Sequence, residues 1–120
     1  MRVIKIVRNI VIAALLAAAA YHLVQFATMG GEPGSVRHLL FVAIDVFSAF
    51  GIRKPFQFFP IFFAAFTLQQ YWSHGMELID TWSDEKRIDW VSVGVLVIMA
   101  CGLWTLLTHP KRLVHVLLKR

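Results

Sequence analysis

Four long apolar runs separated by short polar or breaker-rich segments set the pattern of this chain. The first, over residues 8–29, is interrupted only by Tyr21, His22 and Gln25. Gly30, Gly31, Glu32, Pro33 and Gly34 then break it, because glycine tolerates the left-handed conformation after a helix and proline cannot continue one. A second run covers 36–52, with Ser35 as its expected N-cap. At 1.5 Å per residue it is about 25 Å long, barely enough for a hydrocarbon core of ~30 Å. Arg53, Lys54 and Pro55 close it, Pro55 being suited to the first turn of the next helix.

The third run, 55–73, carries Phe56, Phe58, Phe59, Phe62, Phe63 and Phe66, too many for one helix face, so rings must point both outward and inward. Pro60 predicts a kink, since it removes a backbone donor and crowds the carbonyl four residues back. The run ends at Gln69, Gln70, Tyr71 and Trp72, the last two matching an interfacial belt. A helical extension through Ile79 follows, and Ser83, Asp84 and Glu85 then read as the capped, dipole-matched start of the fourth helix. That helix spans 90–108. Beyond His109 and Pro110, the segment 110–120 alternates basic residues with Leu113, Val114, Leu117 and Leu118, the pattern of a short amphipathic helix on a membrane surface.

These elements define an all-α membrane protein, a single four-transmembrane-helix up-down bundle with an interfacial C-terminal helix. The first run also resembles a secretory signal, with Ala18, Ala19 and Ala20 as a cleavage site. Its apolar character continues through Leu23, Val24 and Phe26, so it is read as a span. Small residues mark expected close helix contacts: Ala13, Ala14, Ala17 and Ala18 in the first span, and Ser92, Gly94, Cys101 and Gly102 in the fourth.

Composition turns this pattern into a statement about solvent. Hydrophobic residues make up 58% of the chain, above the roughly 45–50% of soluble domains, so a soluble core of this size would leave apolar surface uncovered. Charged residues make up 16% and cluster between the runs. The net charge of +5 raises nucleic acid as a partner, but the basic residues mark helix ends instead of forming a patch interleaved with aromatics, which excludes that reading. The partner is the lipid bilayer. Cys101 is the sole cysteine, which excludes an internal disulfide and a thiolate cage.

With four spans, Arg2, Lys5, Arg8, Arg53, Lys54, Lys111, Arg112, Lys119 and Arg120 fall on one side, and Arg37, Lys86 and Arg87 on the other. Nine against three places both termini in the cytoplasm by the positive-inside rule, in a multi-pass protein of the cytoplasmic membrane. Glu32, Glu77, Asp80, Asp84, Glu85 and Asp89 lie outside, and Asp45 lies within a span.

Asp45 is the residue whose placement needs a reason. An acid at mid-span costs roughly 2.5–3.5 kcal/mol to insert, so it must face a partner or be protonated, and Ser48 at i+3 is the nearest candidate partner. His22, Gln69 and Gln70 fall at a similar depth, with His38 and His74 above them; His38 shares a face with Asp45, and Gln70 with His74. This His, Asp and Gln cluster supports three chemistries: a proton or ion pathway centred on Asp45, a metal site using His22, His38, His74 and Glu77, or a haem held by a histidine pair such as His22 and His74. With no nucleophile, base and orienting group in sequence and no phosphate-binding glycine loop, the expectation is a non-enzymatic binding or accessory protein without a cofactor, working as a homo-oligomer or beside a larger membrane complex.

Overall fold

The computed structural model describes residues 2–108 and Leu118, so the expected interfacial helix at 110–120 lies outside the described residues apart from that one position. The fold is all-α, with α1 at Arg2–Thr28, α2 at Ser35–Arg53, α3 at Phe59–Glu85 and α4 at Trp90–Leu107. Three of these, α1, α2 and α4, are long and apolar enough to cross a membrane. The chain divides into two compact units, Met1–Pro55 and Phe56–Arg120, each built on one helical hairpin.

In the first unit α1 and α2 pack antiparallel, as a short connection requires. The seam from α1 is Val11, Leu15 and Ala19, four residues apart and buried; α2 answers with Asp45, Ser48, Ala49 and Ile52. The expected small-residue contact is therefore rotated: Ala13 and Ala17 face outward and Ala19 takes the seam. An alanine-rich helix offers several small stripes, and the bulk of Val11 and Leu15 beside Ser48 and Ala49 selects among them. The turn places Gly30, Gly31 and Gly34 at positive φ. Gly34, at φ 98°, is itself the residue before the helix and α2 has no side-chain cap, so Ser35 is the first helical residue and not the expected N-cap.

In the second unit Phe59, Phe63, Thr67 and Gln70 line the buried face of α3, and Ser92, Met99, Gly102, Thr105 and Leu106 that of α4. Phe59 and Phe63 are fully enclosed while Phe58 faces outward, as the excess of rings required. In lipid such rings stabilise by close contact rather than by leaving water. Gly94 is exposed, with open space around it, so of the expected small residues only Ser92 and Gly102 are fully in the seam. The hydroxyls of Thr67 and Thr105 bond back to their own helices, at Phe63 O (2.7 Å) and Gly102 O (2.8 Å), and so are satisfied without a partner helix.

Two helix boundaries differ from expectation. Pro60 sits in the first turn of α3 and produces no interior break, because its missing N–H is one that a first turn leaves unbonded anyway; Pro55 lies before the helix. Ser83, Asp84 and Glu85 end α3 instead of starting α4. Between Ile61 and Glu85 there is no proline and a single glycine, Gly75, so the helix continues until Lys86 adopts the left-handed conformation (φ 53°) and donates its N–H to Trp82 O. Asp89 is the residue that caps α4.

The candidate polar site

Each hairpin holds its own polar cluster. In the first unit, His22 of α1 lies opposite two successive turns of α2. Its Nδ1 is 2.9 Å from Nδ1 of His38, and its Nε2 is 4.0 Å from Oδ2 of Asp45. His22 stacks on Phe41 with ring centres 5.1 Å apart and planes at 20°, and meets Tyr21 edge-on. The Arg37 guanidinium lies 5.6 Å from the centre of the Phe41 ring. His38, Phe41 and Asp45 share one face of α2 at spacings of three and four, which is why one imidazole reaches all three.

Asp45 is 5% exposed and Ser48 is fully buried, yet Oδ2 of Asp45 and Oγ of Ser48 have no hydrogen-bond partner. The expected Asp45–Ser48 bond is thus absent. Both residues face the seam, and the basic side chain that approaches the carboxylate is His22 of the neighbouring helix.

In the second unit, His74 Nδ1 lies 2.9 Å from Oγ of Ser92 and 3.7 Å from Oε2 of Glu77. Ser92 in turn donates to Oδ2 of Asp89 at 2.6 Å. A hydroxyl has one proton, so Ser92 accepts from His74, and His74 carries a proton on Nδ1. Asp89 also accepts from the backbone N–H groups of Val91 and Ser92. The Ser92 hydroxyl is the main reason its carboxyl is held below the usual carboxylate range, with those two amides adding to the effect. Tyr71 donates from its hydroxyl to Leu96 O at 3.0 Å, joining α3 to the middle of α4. The Gln69 and Gln70 side chains bond to each other at 2.6 Å, Gln70 buried and Gln69 outward.

The structure thus brings His22, His38 and Asp45 together, and separately His74, Glu77 and Ser92. Among the described residues no group of three or more His, Cys, Asp and Glu side chains is placed to hold a metal ion. Axial ligation of a haem by His22 would have to displace its contact with His38 or with Asp45. Sequence reasoning assigned no polar role to Ser92, Tyr71 or Phe41; the spacing of Asp89 to Ser92 at i+3, a capping pattern, is the signal that would have found the first of these. No family model, curated protein or solved structure matches this chain.

Proposed function

We propose that this is a small polytopic protein of the cytoplasmic membrane that acts as a non-enzymatic binding or accessory protein, with both termini in the cytoplasm. The observation that carries this reading is how the polar side chains are used. His22 engages His38, His74 engages Ser92 and Tyr71 engages a carbonyl of α4. Inside each hairpin, then, polar groups chiefly fix helix pairing. Outward lie large apolar side chains such as Leu68, Trp72, Trp90 and Val91, suited to lipid or to a neighbouring membrane subunit.

Four crossings, which the charge distribution needs for termini on one side, are supported by the run of α3 beside α4. The pairs Tyr71–Leu96 and His74–Ser92 set an antiparallel register in which residues 59–76 of α3 lie along the length of α4. If α4 crosses, that part of α3 crosses with it, although its own apolar character is concentrated before Gln69. Purification in gentle detergent should return the protein with a consistent membrane partner or as a homo-oligomer. Repeated recovery of a monomer alone, together with no change in any membrane complex on deletion, would overturn the accessory reading. Reporter fusions at both ends should read cytoplasmic.

One observation favours a second reading, a proton- or ion-coupled small transporter centred on Asp45: the carboxylate oxygen and the Ser48 hydroxyl are buried in the seam without partners. Buried polar atoms in that state are uncommon where packing is their sole role. In proteoliposomes, Asp45→Asn should abolish pH-driven flux, and unchanged flux would remove Asp45 from any transport mechanism.

A further inference from the structure

We infer that Asp45, Ser48 and His22 enclose a proton-binding site that holds one bridging water and is loaded from the side of the α1–α2 turn, through His38. This deepens the transporter reading and names its cargo as the proton. The gap between His22 Nε2 and Asp45 Oδ2 is 4.0 Å, too long for a direct hydrogen bond. A water making two bonds of roughly 2.8 Å spans such a gap at an angle near 90°, and the orphaned Ser48 hydroxyl, one turn along the same face, offers a third partner. Three polar partners are what an ordered buried water needs.

The route follows from the ring nitrogens. The bond between His22 Nδ1 and His38 Nδ1 requires one donor and one acceptor. With His38 as donor, His22 carries its own proton on Nε2, facing the carboxylate. A proton taken from hydronium at His38 Nε2, which leaves water, allows His38 to give its Nδ1 proton to His22; His22 then releases its Nε2 proton through the bridging water to Asp45. The carboxylate becomes a carboxylic acid, charge is conserved at each step, and ring reorientation resets the pair. His38 is half-buried near the start of α2, whereas the seam beyond Ser48 is lined by the buried, apolar Val11, Leu15, Ala49 and Ile52, with the buried Nε of Arg8 one turn before Val11. Protons therefore have a path to Asp45 from the side of the α1–α2 turn, while among the described residues four apolar side chains separate Ser48 from Arg8 at the far end of the seam. The titratable or charged groups facing this chain of residues are His22 and Tyr21 from α1, and His38 and Arg37 from α2, with Arg8 of α1 at the far end of the seam.

The test uses the full chain in nanodiscs and infrared difference spectroscopy after a pH jump. The expected result is a carboxylic acid C=O band that vanishes in Asp45→Asn. Its rate of appearance should fall roughly a hundredfold in His22→Phe and in His38→Phe, the scale of one positioned proton-transfer group, and stay unchanged in Glu32→Gln. If either Phe variant loses helix by circular dichroism, His22→Gln and His38→Gln give the same reading with smaller change of shape. No Asp45 band at any pH, or full loading rates in both histidine variants, overturns the site. Flux is measured separately: loading without flux removes the transporter reading and leaves the site, whereas absent loading removes the site whatever the flux.

Discussion

Replacing Asp45 by valine asks directly whether this carboxyl stabilises the α1–α2 hairpin. Valine is near aspartate in size and adds no polar atom to the seam. On insertion scales an acid at mid-span costs roughly 2.5–3.5 kcal/mol and valine is favourable by a few tenths, which sets an upper bound near 3–4 kcal/mol for the gain. Exchanging a buried ion pair for apolar residues of similar volume is often neutral or stabilising by roughly 1–4 kcal/mol. Against this stands the lost approach to His22, which at 4.0 Å is no stronger than an average intramembrane polar contact of about 0.6 kcal/mol. Beyond the bridging water, Oδ2 has no protein hydrogen bond to lose. Asp45→Val should therefore stabilise the protein by about 1–3 kcal/mol, with Asp45→Asn falling between it and the parent. The assay is unfolding in mixed micelles, with helix content followed by circular dichroism against the fraction of denaturing detergent. Destabilisation of Asp45→Val by about 1 kcal/mol or more would refute the reasoning, since Asp45 would then be a net structural contact and its burial would need no functional account.

Asp89 gives a pH prediction with a defined sign. Its carboxyl is held below its ordinary range, first by Ser92, so the stability it contributes is present above the unfolded carboxylate range and is lost as pH falls through the lower folded value. The start of α4 should loosen in that acidic window, read as faster amide exchange at Val91 and Ser92, and Asp89→Ala should remove this acid sensitivity while costing about 1 kcal/mol at neutral pH. Tyr71→Phe removes one bond to Leu96 O and should cost about 0.6 kcal/mol in the same micelle assay; a loss several times larger would mean that the hydroxyl has another role. Gly34→Ala puts a side chain at φ 98° and should cost roughly 1–2 kcal/mol through the turn, even though the nearest atom to the added Cβ, Met29 Cε at 3.8 Å, leaves room for it.

These outcomes separate what a sequence of this kind carries from what it does not. Apolar run length and breaker residues are one-dimensional quantities, and they gave four helices and the break at Gly30–Gly34, while the break expected at Arg53–Pro55 begins one residue later and runs on to Phe58. Boundaries went astray where one residue type has two uses. Pro60 kinks a helix or opens one, depending on a start that the phenylalanines do not mark. Ser83, Asp84 and Glu85 resemble a helix start but can equally end a helix that no breaker stops. Rotation is the deeper limit. The spacing of His38 and Asp45 placed them on one face, but whether His22 or a residue of another helix met that face depends on Val11, Leu15 and Ala19 setting how α1 turns toward α2. That rotation is what converts an isolated acid and two histidines into a contiguous line of nitrogens and oxygens. It also means the line can be broken without touching it. A bulky residue at Ala19, within the seam and three positions from His22, should separate His22 from His38 and Asp45 while leaving all three in place, and Ala19→Leu should then lower proton loading of Asp45 as far as His22→Phe does. Loading at the parent rate in a variant that keeps its helix content would show that the histidines do not depend on this packing, and would sink the claim that α1 rotation builds the site.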